Sequence, residues 1–143
     1  MPTSPKTSIL ILGCLSLAVV AVTGCDTGPK LFPVEGQVTL DGKPLEYGAI
    51  RVIPGAGRTA SSDLDAQGRF KLMMDDKEGC PPGTHIVTIA SQKAINENLV
   101  RRYAPAKYDN GINSDLKITV DGPKKDVVIE LKGDGKSYPI DGR

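Results

Sequence analysis

The chain carries one imidazole, His85, and three thiols, Cys14, Cys25 and Cys80, so any reactive centre must be assembled from few parts. A Ser-His-Asp or Cys-His arrangement needs that imidazole exposed beside a nucleophile and oriented by a third group. His85 instead opens the run His85-Ile86-Val87-Thr88-Ile89, where two-residue spacing puts it on the same face of a strand as Val87 and Ile89. A buried, hydrogen-bonded structural histidine is the expectation. Metal ligation also lacks parts, because a structural site needs more donors than one thiol provides. Asp63-Leu64-Asp65-Ala66-Gln67-Gly68 has the opening of a calcium loop, but the bidentate Glu required at the twelfth position is replaced by Met74, and a polar hairpin turn is expected. Asp75-Asp76-Lys77-Glu78 partly neutralises itself and reads as a solvated loop. Gly55-Ala56-Gly57-Arg58 lacks the Lys-Ser/Thr of a phosphate cradle and reads as a flexible turn. The one remaining cluster is Arg101, Arg102, Tyr103, Lys107 and Tyr108, three cations and two tyrosines in a long connection. Such a composition suits a binding surface. The same residues can equally pack the connection over the edge of the fold, burying Tyr108.

Cys25 has a different chemistry in prospect. Lys6 and the terminal amine precede an uncharged apolar run from Ile9 to Val22, and the next charge is Asp26. That is the layout of a secretory signal peptide, since a helix of this length rises only about 21 Å at ~1.5 Å per residue, short of a ~30 Å hydrocarbon core. Val22-Thr23-Gly24-Cys25 resembles the bacterial lipobox, in which small residues precede a cysteine that is lipidated before the signal is cut. The resemblance implies a signal peptide over residues 1–24 and a diacylglyceryl thioether on Cys25. Several acyl chains, palmitate among them, bind a bilayer far better than one. The protein would then be held on the extracytoplasmic side of a bacterial envelope membrane without crossing it. Cys14 would leave with the signal, and Cys80 would be left as a lone thiol in a partly buried loop position. An intermolecular disulfide or, without lipidation, a Cys25–Cys80 bridge are the alternatives.

Composition narrows the function further. With 18 Lys and Arg against 17 Asp and Glu, the formal charge is +1, which leaves no concentrated basic surface for nucleic acid. Trp is absent and aromatic residues make up 4%, which removes most sugar-stacking platforms. A hydrophobic fraction of 39% in 143 residues suits one packed domain and is too little for two independent cores.

The elements that would position these groups follow a two-residue period. Val34, Gly36, Val38 and Leu40 share one face of a first strand, closed by the turn Asp41-Gly42-Lys43-Pro44. Ile50 and Val52 mark a second strand, Thr59 to Asp63 a polar third, and Phe70 and Leu72 a fourth. His85 to Ile89 is the fifth, and Gln92 to Asp115 is read as a long connection. Leu116, Ile118 and Val120 form the sixth and Val127, Ile129 and Leu131 the seventh. Seven short strands separated by turn residues predict an all-β, two-sheet sandwich over residues 34–132. Residues 25–33 read as a tether and 133–143 as a flexible tail.

In order and spacing, the stretches V-E-G-Q-V-T-L-D-G-K-P-L, D-L-D-A-Q-G-R-F-K-L, P-P-G-T-H-I-V-T-I, Y-A-P-A-K-Y-D-N-G-I-N-S-D-L-K-I-T-V and V-V-I-E-L resemble the carboxypeptidase regulatory-like, or transthyretin-like, domain of small secreted lipoproteins of planctomycete-type bacteria. The matching stretches span roughly Val34 to Leu131. The resemblance implies a seven-stranded Greek-key sandwich of the prealbumin type, in agreement with the strand count. It implies no catalysis, because beside carboxypeptidases this domain is an accessory and the zinc chemistry lies in another domain. His85 departs from the family, which more often has Tyr in Pro-Gly-x-Tyr-x-Val. Enzymes with related cores fail on parts. Hydroxyisourate hydrolases use more than one His and end in Tyr-Arg-Gly-Ser, whereas this chain ends Tyr138-Pro139-Ile140-Asp141-Gly142-Arg143; intradiol dioxygenases need two His and two Tyr for iron.

The expectation is therefore a non-enzymatic, lipid-anchored module for protein interaction or envelope structure, without cofactor, metal or nucleic acid. Its partners would be the membrane, through Cys25, and an envelope protein. The alternative is a small-ligand or glycan-binding lipoprotein using the Arg101–Tyr108 loop.

Overall fold

The computed structural model describes residues 28–138. In chain order the strands are β1 (Val34–Leu40), β2 (Lys43–Pro44), β3 (Ala49–Ile53), β4 (Ala60–Asp63), β5 (Arg69–Lys71), β6 (Met73–Met74), β7 (Lys77–Glu78), β8 (Gly83–Ala90), β9 (Gln92–Asn96), β10 (Leu99–Arg102), β11 (Lys117–Val120) and β12 (Lys124–Leu131). One 3-10 turn, Ala106–Tyr108, is the only helical segment among the described residues.

Two sheets enclose the core. In the first, β1 runs parallel to β12 on one side and antiparallel to β5 and β2 on the other. The second has the order β11-β8-β3-β4-β6-β7, antiparallel throughout. Alternation decides which side chains meet between them. Val34, Val38, Ile129 and Leu131 come from one sheet, and Ile50, Val52, Val87, Ile89, Ile118 and Val120 from the other, all buried. Each such aliphatic side chain contributes about 1.5–3 kcal/mol by leaving water. The fold is thus the expected all-β sandwich, and the strands anticipated from the two-residue period are β1, β3, β4, β5, β8, β11 and β12.

Local chemistry explains three of the joints. Asp41 and Gly42 both have positive φ, 49° and 80°, in the two-residue loop that pairs Leu40 with Lys43, as a type I′ turn requires. The chain crosses between sheets at Leu72, which is fully buried; its N–H donates to the Val34 carbonyl at 2.9 Å and its carbonyl accepts from Gly79 at 2.8 Å. Gly36 leaves the space into which the Phe70 ring and the Val127 carbonyl fit: a Cβ there would stand 2.0 Å from that oxygen and 2.9 Å from Phe70 Cζ.

Three segments outside the seven principal strands show further order among the described residues. Within the long connection from Gln92 to Asp115, β9 and β10 form a two-stranded ribbon that pairs with neither sheet. At the end of the segment read as a tether, Phe32 and Cys80 exchange backbone hydrogen bonds at 2.9 Å, and Lys124 N–H donates to the Pro33 carbonyl at 2.8 Å. Of the described tail residues, Gly133 N–H donates to Asp41 Oδ1 at 3.0 Å, and within the tail the Tyr138 hydroxyl donates to Asp134 Oδ1 at 2.8 Å.

Candidate interaction surface

Cys25 and the preceding lipobox residues lie outside the described residues. Within the sandwich, the groups with catalytic potential point inward. His85 is 4% exposed on the core face of β8, as its parity with Val87 and Ile89 requires. Its Nε2 lies 2.8 Å from the Pro81 carbonyl. A carbonyl only accepts, so Nε2 donates, while the buried Nδ1 has no hydrogen-bond partner. The imidazole therefore ties β8 to the Pro81 turn. The neighbouring Thr84 faces the other way and pairs with Thr119 across to β11 at 3.0 Å.

Cys80 is buried, and desolvation pushes its thiol up to about 11, away from the thiolate that nucleophilic chemistry needs. A sulfur so enclosed is not presented to a second chain. The carboxylates are engaged in structure. Asp65 Oδ1 accepts from the backbone N–H groups of Gln67 and Arg69 at 2.9 and 2.8 Å, which makes the Asp63–Gly68 segment a self-capped turn. Asp75 pairs with Arg58, and Glu78 with Lys71 at 2.9 Å, an interaction that raises the Lys71 pKa.

The Arg101–Tyr108 cluster divides sharply. Tyr103 is 1% exposed, its ring 5.1 Å from that of Tyr47, and its buried hydroxyl has no hydrogen-bond partner. Tyr108 is equally buried, and its hydroxyl accepts from Lys132 N–H at 2.9 Å. The Lys107 ammonium lies 4.5 Å from the Tyr108 ring centroid and 3.7 Å from Asp115, and both neighbours raise its pKa. Arg102 pairs with Asp109. The structure thus brings the cluster together as a strap laced to the sandwich. Neither tyrosine offers a ring face to a ligand, so of the predicted surface only Arg101, Lys107 and part of Arg102 face solvent.

The surface that sequence reasoning missed is the β9–β10 ribbon. Ile95, Leu99 and Val100 are 42%, 52% and 52% exposed, and they are three of the five exposed large hydrophobic residues in the described chain. Two short apolar runs around the polar turn Asn96-Glu97-Asn98 were its signal. Its position is set by β8. The N-terminal segment joins the fold at Cys80, just before β8 begins, and the ribbon leaves from the far end of that strand, after Ser91. At ~3.4 Å per residue, β8 separates the two by about 25 Å. Beside the ribbon's base, a groove of about 260 Å³ is lined by Leu40, Lys43, Leu45, Tyr103 and Tyr138.

No family profile matches the chain, and no curated protein or solved structure shows significant similarity to it.

Proposed function

We propose that this chain is a non-enzymatic, lipid-anchored module that presents a protein-interaction surface on the extracytoplasmic side of a bacterial membrane. One observation carries the reading: the segment leading back to Cys25 enters at one pole of the sandwich, and the exposed aliphatic side chains of the ribbon stand at the other. A bilayer-held Cys25 would turn the ribbon outward. The inward placement of the His85 and Cys80 side chains supports a binding role over a catalytic one. The seven principal strands support the resemblance to carboxypeptidase regulatory-like, transthyretin-like domains, whose Greek-key order forms part of the same proposal. The glycan-binding alternative loses its aromatic platform, because Tyr103 and Tyr108 are interior.

The anchor is tested by the intact mass of the protein extracted from membranes. A diacylated N-terminal Cys25, and retention of Cys25→Ala as an uncleaved, unlipidated precursor, are expected. A mature protein with a free Cys25 thiol would overturn the reading.

A further inference from the structure

We infer that the groove beside Pro29, at the pole where the chain enters the sandwich, seats on the lipid surface that holds the anchor, with the apolar boundary of the bilayer as its occupant. The inference rests on the lipid anchor at Cys25 proposed above and deepens it by naming the face that meets the membrane.

The groove has a volume of about 400 Å³ and is lined by Pro29, Ala56, Gly57, Arg58, Met74 and Pro81, of which only Arg58 is polar. Met74 is buried, whereas Pro29, Ala56 and Gly57 are open to solvent. The loop Gly55-Ala56-Gly57 stands clear of the rest of the fold, since a Cβ on either glycine would meet nothing within 4 Å. So small a set of side chains lets the loop approach a surface closely. Arg58 pairs with Asp75. Across the groove and the β6–β7 hairpin beside it, Lys30, Arg58 and Lys77 balance Asp75, Asp76 and Glu78. With no net charge, the contact draws on apolar burial at the headgroup boundary and not on anionic headgroups.

Chain length commits the groove to this occupant. Pro29 follows Cys25 by four residues, which reach at most about 14 Å at ~3.3–3.6 Å per residue. The interfacial layer of a bilayer is roughly 5–8 Å deep on each side. A lipidated Cys25 therefore holds Pro29 within the headgroups or a few ångströms above them. A folded domain, about 30 Å across, does not fit into that gap. Attachment also makes the encounter intramolecular, so a small apolar contact is enough to set which face turns down. The ribbon, about 25 Å away at the far end of β8, is left clear of the lipid.

The test reconstitutes the full lipidated chain in phosphatidylcholine vesicles that include phosphatidylcholine with a diazirine in its acyl chain. Irradiation and peptide mass spectrometry locate the adducts. They are expected on the segments that hold Pro29, Ala56 and Met74, at least tenfold above any on the ribbon. A second chain carries about twelve Gly-Ser residues after Asp26, which span about 20 Å as a flexible coil. It should keep its adducts within twofold, because the groove itself seats on the lipid. Ala56→Asp in that longer chain should lower them at least tenfold at unchanged circular dichroism. The inference is overturned by absence of adducts at the groove, by equal labelling of the two poles, by loss of labelling in the longer chain, or by labelling that needs anionic lipid. A concentration-dependent dimer in detergent, abolished by Ala56→Asp, would assign the groove to a second copy instead. The intact mass is read on the same sample: a lipidated Cys25 without groove adducts overturns this inference alone, whereas an unlipidated one overturns the anchor reading as well.

Discussion

One connection, Gln92 to Asp115, contains two regions of opposite character. In its first half the ribbon exposes Ile95, Leu99 and Val100; in its second half the strap buries Tyr103 and Tyr108. Hydrophobicity does not separate them. What separates them is where their polar groups find partners. The strap is tied into the sandwich at intervals: Tyr103 N–H donates to the Ser91 carbonyl at 2.9 Å, Lys132 N–H donates to the Tyr108 hydroxyl, and the Ser114 hydroxyl donates to the Val87 carbonyl. The ribbon's backbone bonds run mainly between its own two strands. A segment that satisfies its polar groups on the core can bring its rings with it, whereas one that satisfies them internally leaves its side chains in water.

The two buried tyrosines sharpen this contrast and provide its largest expected effects. Tyr108→Ala removes an interior ring together with the acceptor for Lys132 N–H, and should cost about 3–5 kcal/mol in urea unfolding. Tyr108→Phe keeps the ring and strands that N–H, for a loss of about 1 kcal/mol or more. Tyr103→Phe should behave differently. Its hydroxyl is buried without a partner, so deletion should be neutral within about 0.5 kcal/mol, or stabilising. Equal losses in the two Phe variants would mean that the Tyr108–Lys132 bond contributes nothing to holding the strap.

The ribbon should be nearly silent in the same measurement. Ile95→Ser and Leu99→Ser alter side chains that are about half exposed and lie outside the main core, so each should shift stability by no more than about 0.5 kcal/mol. A loss of about 2 kcal/mol or more would place the ribbon against the sandwich and remove its character as a free surface.

Legibility in the sequence followed the same division. The sandwich was readable because a strand with one face in the core repeats every two residues, and Val34, Val38, Val87, Ile89, Ile129 and Leu131 keep that rhythm. His85 was readable for the same reason: its parity within β8 points it inward, where its Nε2 meets the Pro81 carbonyl. The ribbon left only two short apolar runs as its signal, since the bulge at Ile95 interrupts the alternation and neither of its faces is buried enough to impose a pattern. The strap has no period at all. Its composition showed which chemistry was present in Arg101, Arg102, Tyr103, Lys107 and Tyr108, but the direction of each side chain depends on distant partners such as Lys132 and Tyr47. The Leu72 crossing was likewise hidden, because continuous alternation through Phe70 and Leu72 does not reveal that β5 and β6 belong to different sheets.

The smallest expected effect concerns a third tyrosine at the ribbon's pole. Tyr138 lines the groove beside Tyr103, and its hydroxyl donates to Asp134 Oδ1. Desolvation first, then the hydrogen bond and negative charge of Asp134, push its pKa up to about 12, while Arg102 pulls weakly the other way. The folded state thus holds this proton more tightly than the unfolded chain, where tyrosine titrates near pH 10. The resulting stability is fully present below about pH 10 and is lost as the pH rises toward 12. Absorbance at about 295 nm should show one phenol ionising late, and Asp134→Asn should move that step downward while leaving stability at neutral pH almost unchanged. Asp134 shows the reciprocal sign, with its pKa lowered chiefly by the Tyr138 hydrogen bond. An unmoved step in Asp134→Asn would detach the tail from the groove and leave the strap, through Tyr108 and Lys132, as the closure of that pole.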